Sequence, residues 1–171
     1  MIRDSPPLTL DELNAFSHPR FVETLGWIFE SSPWVAERAW VARPFASLND
    51  VHTAMTDVVD AAAPEERLAL LRAHPDLGAR ARMSEASVGE QQGAGLDRLT
   101  PEEFHRLQQL NLAYREKFGF PFLFAVKGST KHDILAALER RLAADRDQEF
   151  EEALRQVYRI AMFRLQDLVL E

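Results

Sequence analysis

Three groups of side chains in this chain have the types and spacing to do chemistry on a small polar molecule. The first is His74, inside Ala73-His74-Pro75-Asp76-Leu77-Gly78. Pro75 restricts the backbone before it and Gly78 permits a turn, so the imidazole is expected at a fixed place at a helix end. A held imidazole, with an unperturbed pKa of about 6.5, is suited to moving protons near neutral pH. A histidine that completes a helix dipole fits the same pattern. The second group is Ser87-Val88-Gly89-Glu90-Gln91. On a helix, Ser87 and Glu90 share a face with Gln91 beside them, and together they donate and accept several hydrogen bonds. Ser-x-x-Glu is equally a helix capping box. The third is Arg164, which helical periodicity puts inside the apolar arc of the last helix, next to Val157. Glu151, Arg155, Gln156, Arg159, Gln166 and Asp167 fall on the polar arc, and Phe163 also faces away from the core. A guanidinium on a core face needs an anion: a substrate carboxylate, or a buried Asp or Glu, unless the side chain snorkels out.

A fourth feature is the run Phe118-Gly119-Phe120-Pro121-Phe122-Leu123-Phe124-Ala125-Val126-Lys127-Gly128. It is too apolar for the surface, and Pro121 argues against a continuing helix, so an extended segment between two helices is expected. Its buried amides need partners. A polar heterocycle would supply them in a ligand pocket, and protein groups or water would supply them in a plain core segment.

Much chemistry is excluded by what is missing. The 171 residues contain no cysteine, which removes disulfides, Cys-ligated zinc, iron–sulfur clusters and thiol catalysis. None of the five histidines makes a His-Glu-x-x-His pattern or a pair at helical spacing, and no phosphate loop, dinucleotide fingerprint or Gly-x-Ser-x-Gly elbow occurs. A net charge of −7 repels nucleic-acid backbones and anionic membranes. The longest apolar runs fall far short of the roughly 20 residues that span a bilayer. Met1–Pro7 lacks the apolar core of a secretory signal, and the closing Leu168-Val169-Leu170-Glu171 is no peroxisomal address. A cytoplasmic protein is expected, with no nucleic-acid or membrane partner.

The elements that must position these groups read as helices. The expected architecture is all-α: one compact domain over residues 1–171, of about eight helices with one extended aromatic segment. Thr9 with Glu12, Ser47, Thr100-Pro101-Glu102-Glu103 and Thr130 with Asp133 are start signals. Phe21, Val22, Leu25, Ile28 and Phe29 are spaced as one buried helical face, and Leu68 and Leu71 as the inward side of a helix opened by Pro64. Phe104, Leu107, Leu110, Tyr114 and Phe118 form a stripe that Gly119 ends, and a last helix covers about Gln148 to Leu170. No repeat, linker or convincing strand pairing is visible.

The order of these runs resembles a known family. Phe29-Glu30-Ser31-Ser32-Pro33-Trp34-Val35-Ala36, Arg43-Pro44-Phe45, Ala73-His74-Pro75-Asp76-Leu77 and Ser87-x-x-Glu90-Gln91 with Ala94-Gly95-Leu96 come first. Leu110-Asn111-x-Ala113-Tyr114, Lys117 to Phe122, Ala125-Val126-Lys127-Gly128 and Ile160-Ala161 with Arg164-Leu165 follow. Together they resemble the 2-oxo-4-hydroxy-4-carboxy-5-ureidoimidazoline (OHCU) decarboxylases of urate breakdown. The resemblance implies an all-α, cofactor-free homodimer without a metal, acting on a small molecule to give (S)-allantoin. It implies that His74 is catalytic with Glu90 holding or tuning it, and that Pro75 lines the site. Ser87, Glu90 and Gln91 would contact the ring and ureido groups, with Val88 and Gly89 as pocket backbone. Phe122, Leu123, Phe124, Ala125 and Val126 would face the ring through their backbone, and Arg164 would lie near the substrate's charged end. Two other readings remain at this stage: a lyase or hydrolase for a related ureido compound, and a non-catalytic helical interaction module, hinted at by Phe163.

Overall fold

Apolar residues three and four apart, punctuated by Ser and Thr caps and by prolines, make helices along most of the chain in this computed structural model. Residues 6–78 and 85–170 are described, so Met1–Ser5, read above for a leader, lie outside them. Among the described residues there are nine α-helices, one short 3-10 helix and two two-residue strands, in keeping with the all-α expectation. By their internal contacts they form two compact units, one of His74–Val157 and one of Ile2–Ala73 with Tyr158–Glu171.

The second of these units starts with β1 (Leu8–Thr9), α1 (Leu10–Asn14), α2 (His18–Leu25), α3 (Trp34–Ala39) and the 3-10 turn Trp40–Ala42. It continues with α4 (Leu48–Ala61) and α5 (Pro64–Arg72). Thr9, Ser17 and Ser47 each accept a hydrogen bond from the backbone N–H three residues on, so each fills an orphan donor of the helix it opens. Leu13, Phe21, Leu25, Val51, Met55, Leu70 and Leu71 are fully buried. The inward pair on α5 is thus Leu70 and Leu71 rather than Leu68 and Leu71. Helix α2 stops at Leu25, so Ile28 and Phe29 reach the core from the following turn and not from one continuous helical face.

The first unit holds α6 (Glu85–Gly93), α7 (Pro101–Phe118), α8 (Lys131–Leu142) and the opening turns of α9 (Arg146–Leu168), whose remainder belongs to the second unit. In α7, Thr100 Oγ1 accepts from Glu103 N–H at 3.1 Å and Glu103 Oε1 accepts from Thr100 N–H at 2.9 Å. Gly119 ends the helix with φ +81°, a conformation that a Cβ disfavours. After α9, β2 (Val169–Leu170) pairs in parallel with β1, Leu8 opposite Val169 and Thr9 opposite Leu170. That short ladder was not expected from the sequence, because two residues are too few to carry an alternation. Among the described residues no helix is long and apolar enough to cross a membrane.

Candidate active site

His74 follows the C-cap of α5 and is buried, at 6% exposure. The loop that carries it is tied down from two sides. Asn111 Nδ2, on α7, donates to the Leu77 carbonyl at 3.0 Å, and Gly78 N–H donates to Gln91 Oε1, on α6, at 2.8 Å. Gly78 has φ +74°, and a Cβ there would come within 2.5 Å of a Leu107 methyl, so glycine is required by both conformation and space. A fixed imidazole was the expectation at this position, and the bonds on Leu77 and Gly78 are the physical means of fixing its loop.

Ser87, Glu90 and Gln91 do share α6. Ser87 and Gln91 are buried and Glu90 and Val88 half-buried, while Gly89 is exposed. Ser87 stands inside the helix rather than ahead of its first residue, so it is not the N-cap that Ser-x-x-Glu also suggested. Gln91 joins two of the expected groups, because its side-chain oxygen holds the loop that bears His74.

The aromatic run beyond Gly119 has no helix or strand over residues 121–126. The ring of Phe118 stacks with that of Phe120 at 6.1 Å, and the ring of Phe122 with that of Phe124 at 6.0 Å. Phe118 closes α7, whereas Phe122 and Phe124, two residues apart on one side, mark the chain between them as extended. Tyr114 meets Phe120 and Phe122 edge-on, at 5.9 and 5.4 Å. Tyr114 lies one turn beyond Asn111, so a single face of α7 supports both the histidine loop and the aromatic segment. Beneath the segment, Arg141 Nη1 donates to the Leu123 carbonyl, and the guanidinium pairs with Glu149 and lies 4.6 Å from the Phe122 ring centre. The Tyr114 hydroxyl donates to Glu149 Oε1 at 2.5 Å. Burial, reinforced by that carboxylate, pushes the Tyr114 pKa well up, so the phenol stays protonated.

Arg164 is 3% exposed, as its place in the apolar arc required. Its Nη2 donates to Glu30 Oε2 at 2.9 Å, and its Nη1 to the carbonyls of Trp27 and Ile28 at 3.2 and 3.4 Å. Of the anions considered for a guanidinium there, a buried carboxylate is thus present. Phe163 is half-buried, not on an open face. Among the described residues, no three His, Asp or Glu side chains converge as a metal ion would require. Sequence reasoning missed Asn111, Arg141, Glu149 and Gln156. The last was placed on the polar arc of α9, yet it is buried and its Oε1 accepts from Ala125 N–H at 2.9 Å.

A buried imidazole on a braced loop, a helix carrying Ser87, Glu90 and Gln91, and an extended aromatic segment lie in one all-helical unit. A family model described as OHCU decarboxylase matches residues 14–166, and the chain belongs to that family. The chain is 49% identical over 163 residues to a uric acid degradation bifunctional protein of Bacillus subtilis, covering 95% of this chain and 33% of that one. It is 46% identical over 161 residues to an OHCU decarboxylase of Halalkalicoccus jeotgali, covering 94% and 92%. A crystal structure of an (S)-allantoin synthase superposes with a TM-score of 0.78 at 34% identity, over 96% of this chain and 54% of that one. The chain therefore spans a third of one relative and nearly the whole of another.

Proposed function

We propose that this chain is a carboxy-lyase that converts OHCU to (S)-allantoin in urate degradation. The observation that carries the reading is His74, buried on a loop braced by Gln91 and Asn111, within a chain that matches the decarboxylase family over most of its length. The substrate supplies its own electron sink. When the bond between the ring carbon and the carboxylate breaks, the electron pair moves toward the conjugated imine, whose nitrogen takes up a proton. The resulting enol loses its hydroxyl proton to become the ring carbonyl, and the neighbouring carbon, which bears the ureido group, gains a proton on one face. The protein must bind the anion, favour charge spread into the ring, and control that last proton.

In this reading His74 transfers the proton, and Glu90 holds or tunes the imidazole. Pro75, Ser87 and Gln91 contact the substrate, with the backbone of Val88 and Gly89 completing that wall. The segment of Phe122, Leu123, Phe124, Ala125 and Val126 borders the ring, with the Leu123 carbonyl and the Ala125 N–H held by Arg141 and Gln156 on its far edge. Arg164 lies near the charged end; Glu30 and the two carbonyls hold its guanidinium in one orientation. The reaction needs no added cofactor by this route. The chain works as one functional domain and as a cytoplasmic homodimer.

The test is a rate. OHCU is generated fresh from urate with urate oxidase and hydroxyisourate hydrolase, and CO2 release is followed with and without the protein. Release that accelerates in proportion to added protein is expected, and release at the spontaneous rate would refute the assignment.

A further inference from the structure

Without helix or strand over residues 121–126, each main-chain polar group of the aromatic segment must find its own partner. The stacking of the Phe122 and Phe124 rings, two residues apart, marks the segment as extended. In an extended chain the N–H and C=O of one residue point to the same edge, and those of the next residue to the opposite edge. The groups of Leu123 and Ala125 thus share an edge, and both meet buried side chains there. Arg141 Nη1 donates to the Leu123 carbonyl at 2.5 Å, and Ala125 N–H donates to Gln156 Oε1 at 2.9 Å. The groups of Phe122 and Phe124 and the Val126 N–H point the other way, while the Val126 carbonyl accepts from Ser129 N–H at 3.0 Å in the following turn. Among the described residues, neither the N–H nor the C=O of Phe124 has a protein partner.

We propose that Gln156 and Arg141 are positioning residues, which hold the Ala125 N–H and the Leu123 carbonyl so that the main-chain groups of Phe122 and Phe124 and the Val126 N–H turn to the substrate ring. The proposal rests on the reading that residues 122–126 face the substrate. Each positioning side chain is itself oriented. Gln156 Nε2 donates to Glu152 Oε1 at 2.9 Å, which leaves Oε1 for Ala125. Arg141 is set by Glu149, which also accepts from Tyr114. A glutamine with its amide reversed would bring N–H against N–H at Ala125, so Glu152 decides which way the amide faces.

Steady-state kinetics of the full chain on freshly generated OHCU tests this. Gln156→Met removes the acceptor at nearly constant shape. It should keep the wild-type far-UV spectrum and raise KM by about tenfold, with kcat changed far less, as expected for displacing a hydrogen-bonding contact to the bound ring. The double variant Glu152→Gln with Gln156→Glu exchanges donor and acceptor, keeps the bond to Ala125, and should bring KM back to within about threefold of wild type. Glu152→Ala alters only a half-buried side chain, frees the amide to turn over, and should raise KM by an intermediate amount. A folded Gln156→Met with wild-type KM overturns the proposal, and so does an exchange variant that fails to restore KM. If Gln156→Met does not fold, a wild-type KM in Glu152→Ala overturns it instead. A wild-type chain that leaves OHCU decay unchanged refutes the decarboxylase reading itself, before any variant is compared.

Discussion

The loop that carries His74 is braced beyond the histidine. Its loop is pinned at Leu77 by Asn111 and at Gly78 by Gln91, on two helices that follow it in sequence. If the ring transfers the proton, His74→Asn should fold normally and lower kcat/KM by about 10²-fold or more, the usual scale of a lost acid–base group. Circular dichroism for the fold and the CO2 assay for the rate check this together. The Arg164–Glu30 pair allows a different prediction. Both side chains are buried, so Glu30→Ala removes the carboxylate on Nη2 and should destabilise the protein by about 3 kcal/mol in urea unfolding. His74 and Arg164 stand out in the sequence for local reasons: an imidazole directly before a proline just past a helix end, and a charge on an apolar arc. Gln156 does not. An amide on the solvent-side arc looks ordinary, and only the folded position of Ala125 gives it a buried task.

Helix α7 is the element on which the site depends most. Its Thr100–Glu103 capping box, Pro101 and Gly119 are local signals, each acting within four residues, and the sequence could therefore delimit this helix at both ends. The β1–β2 pair joins residues at opposite ends of the chain and has no local signal, and the early stop of α2 before Ile28 was masked by apolar spacing that continues beyond it. Two predictions concern α7. Gly119→Ala, at φ +81°, should cost about 1 kcal/mol of stability, read from the urea midpoint. The Lys131 ammonium beside Glu103, helped by the Thr100 backbone, lowers the Glu103 pKa to about 2, from an ordinary value of 4.5. A carboxylate with a depressed folded-state pKa adds stability that is full above its unfolded value and lost as pH falls through the folded one. Comparison with Glu103→Gln should therefore show a stability gap at pH 7 that narrows below 4.5 and closes near 2. A gap independent of pH would contradict it.

At the scale of the whole molecule, the composition, with no cysteine and a charge of −7, left room for many helical proteins. The assignment comes from the order of the runs along the chain, which the family match over residues 14–166 supports. Light scattering coupled to size exclusion should return twice the 19.5 kDa chain mass if the homodimer reading is right, and a single chain mass would contradict it. If the protein places one proton on one face of the substrate, the handedness of the product reports it. Spontaneous decay of OHCU gives racemic allantoin. With the protein present, circular dichroism of the allantoin formed should grow with the sign of the (S) enantiomer. A racemic product with no dichroism would rule out delivery of that proton to one face by the protein.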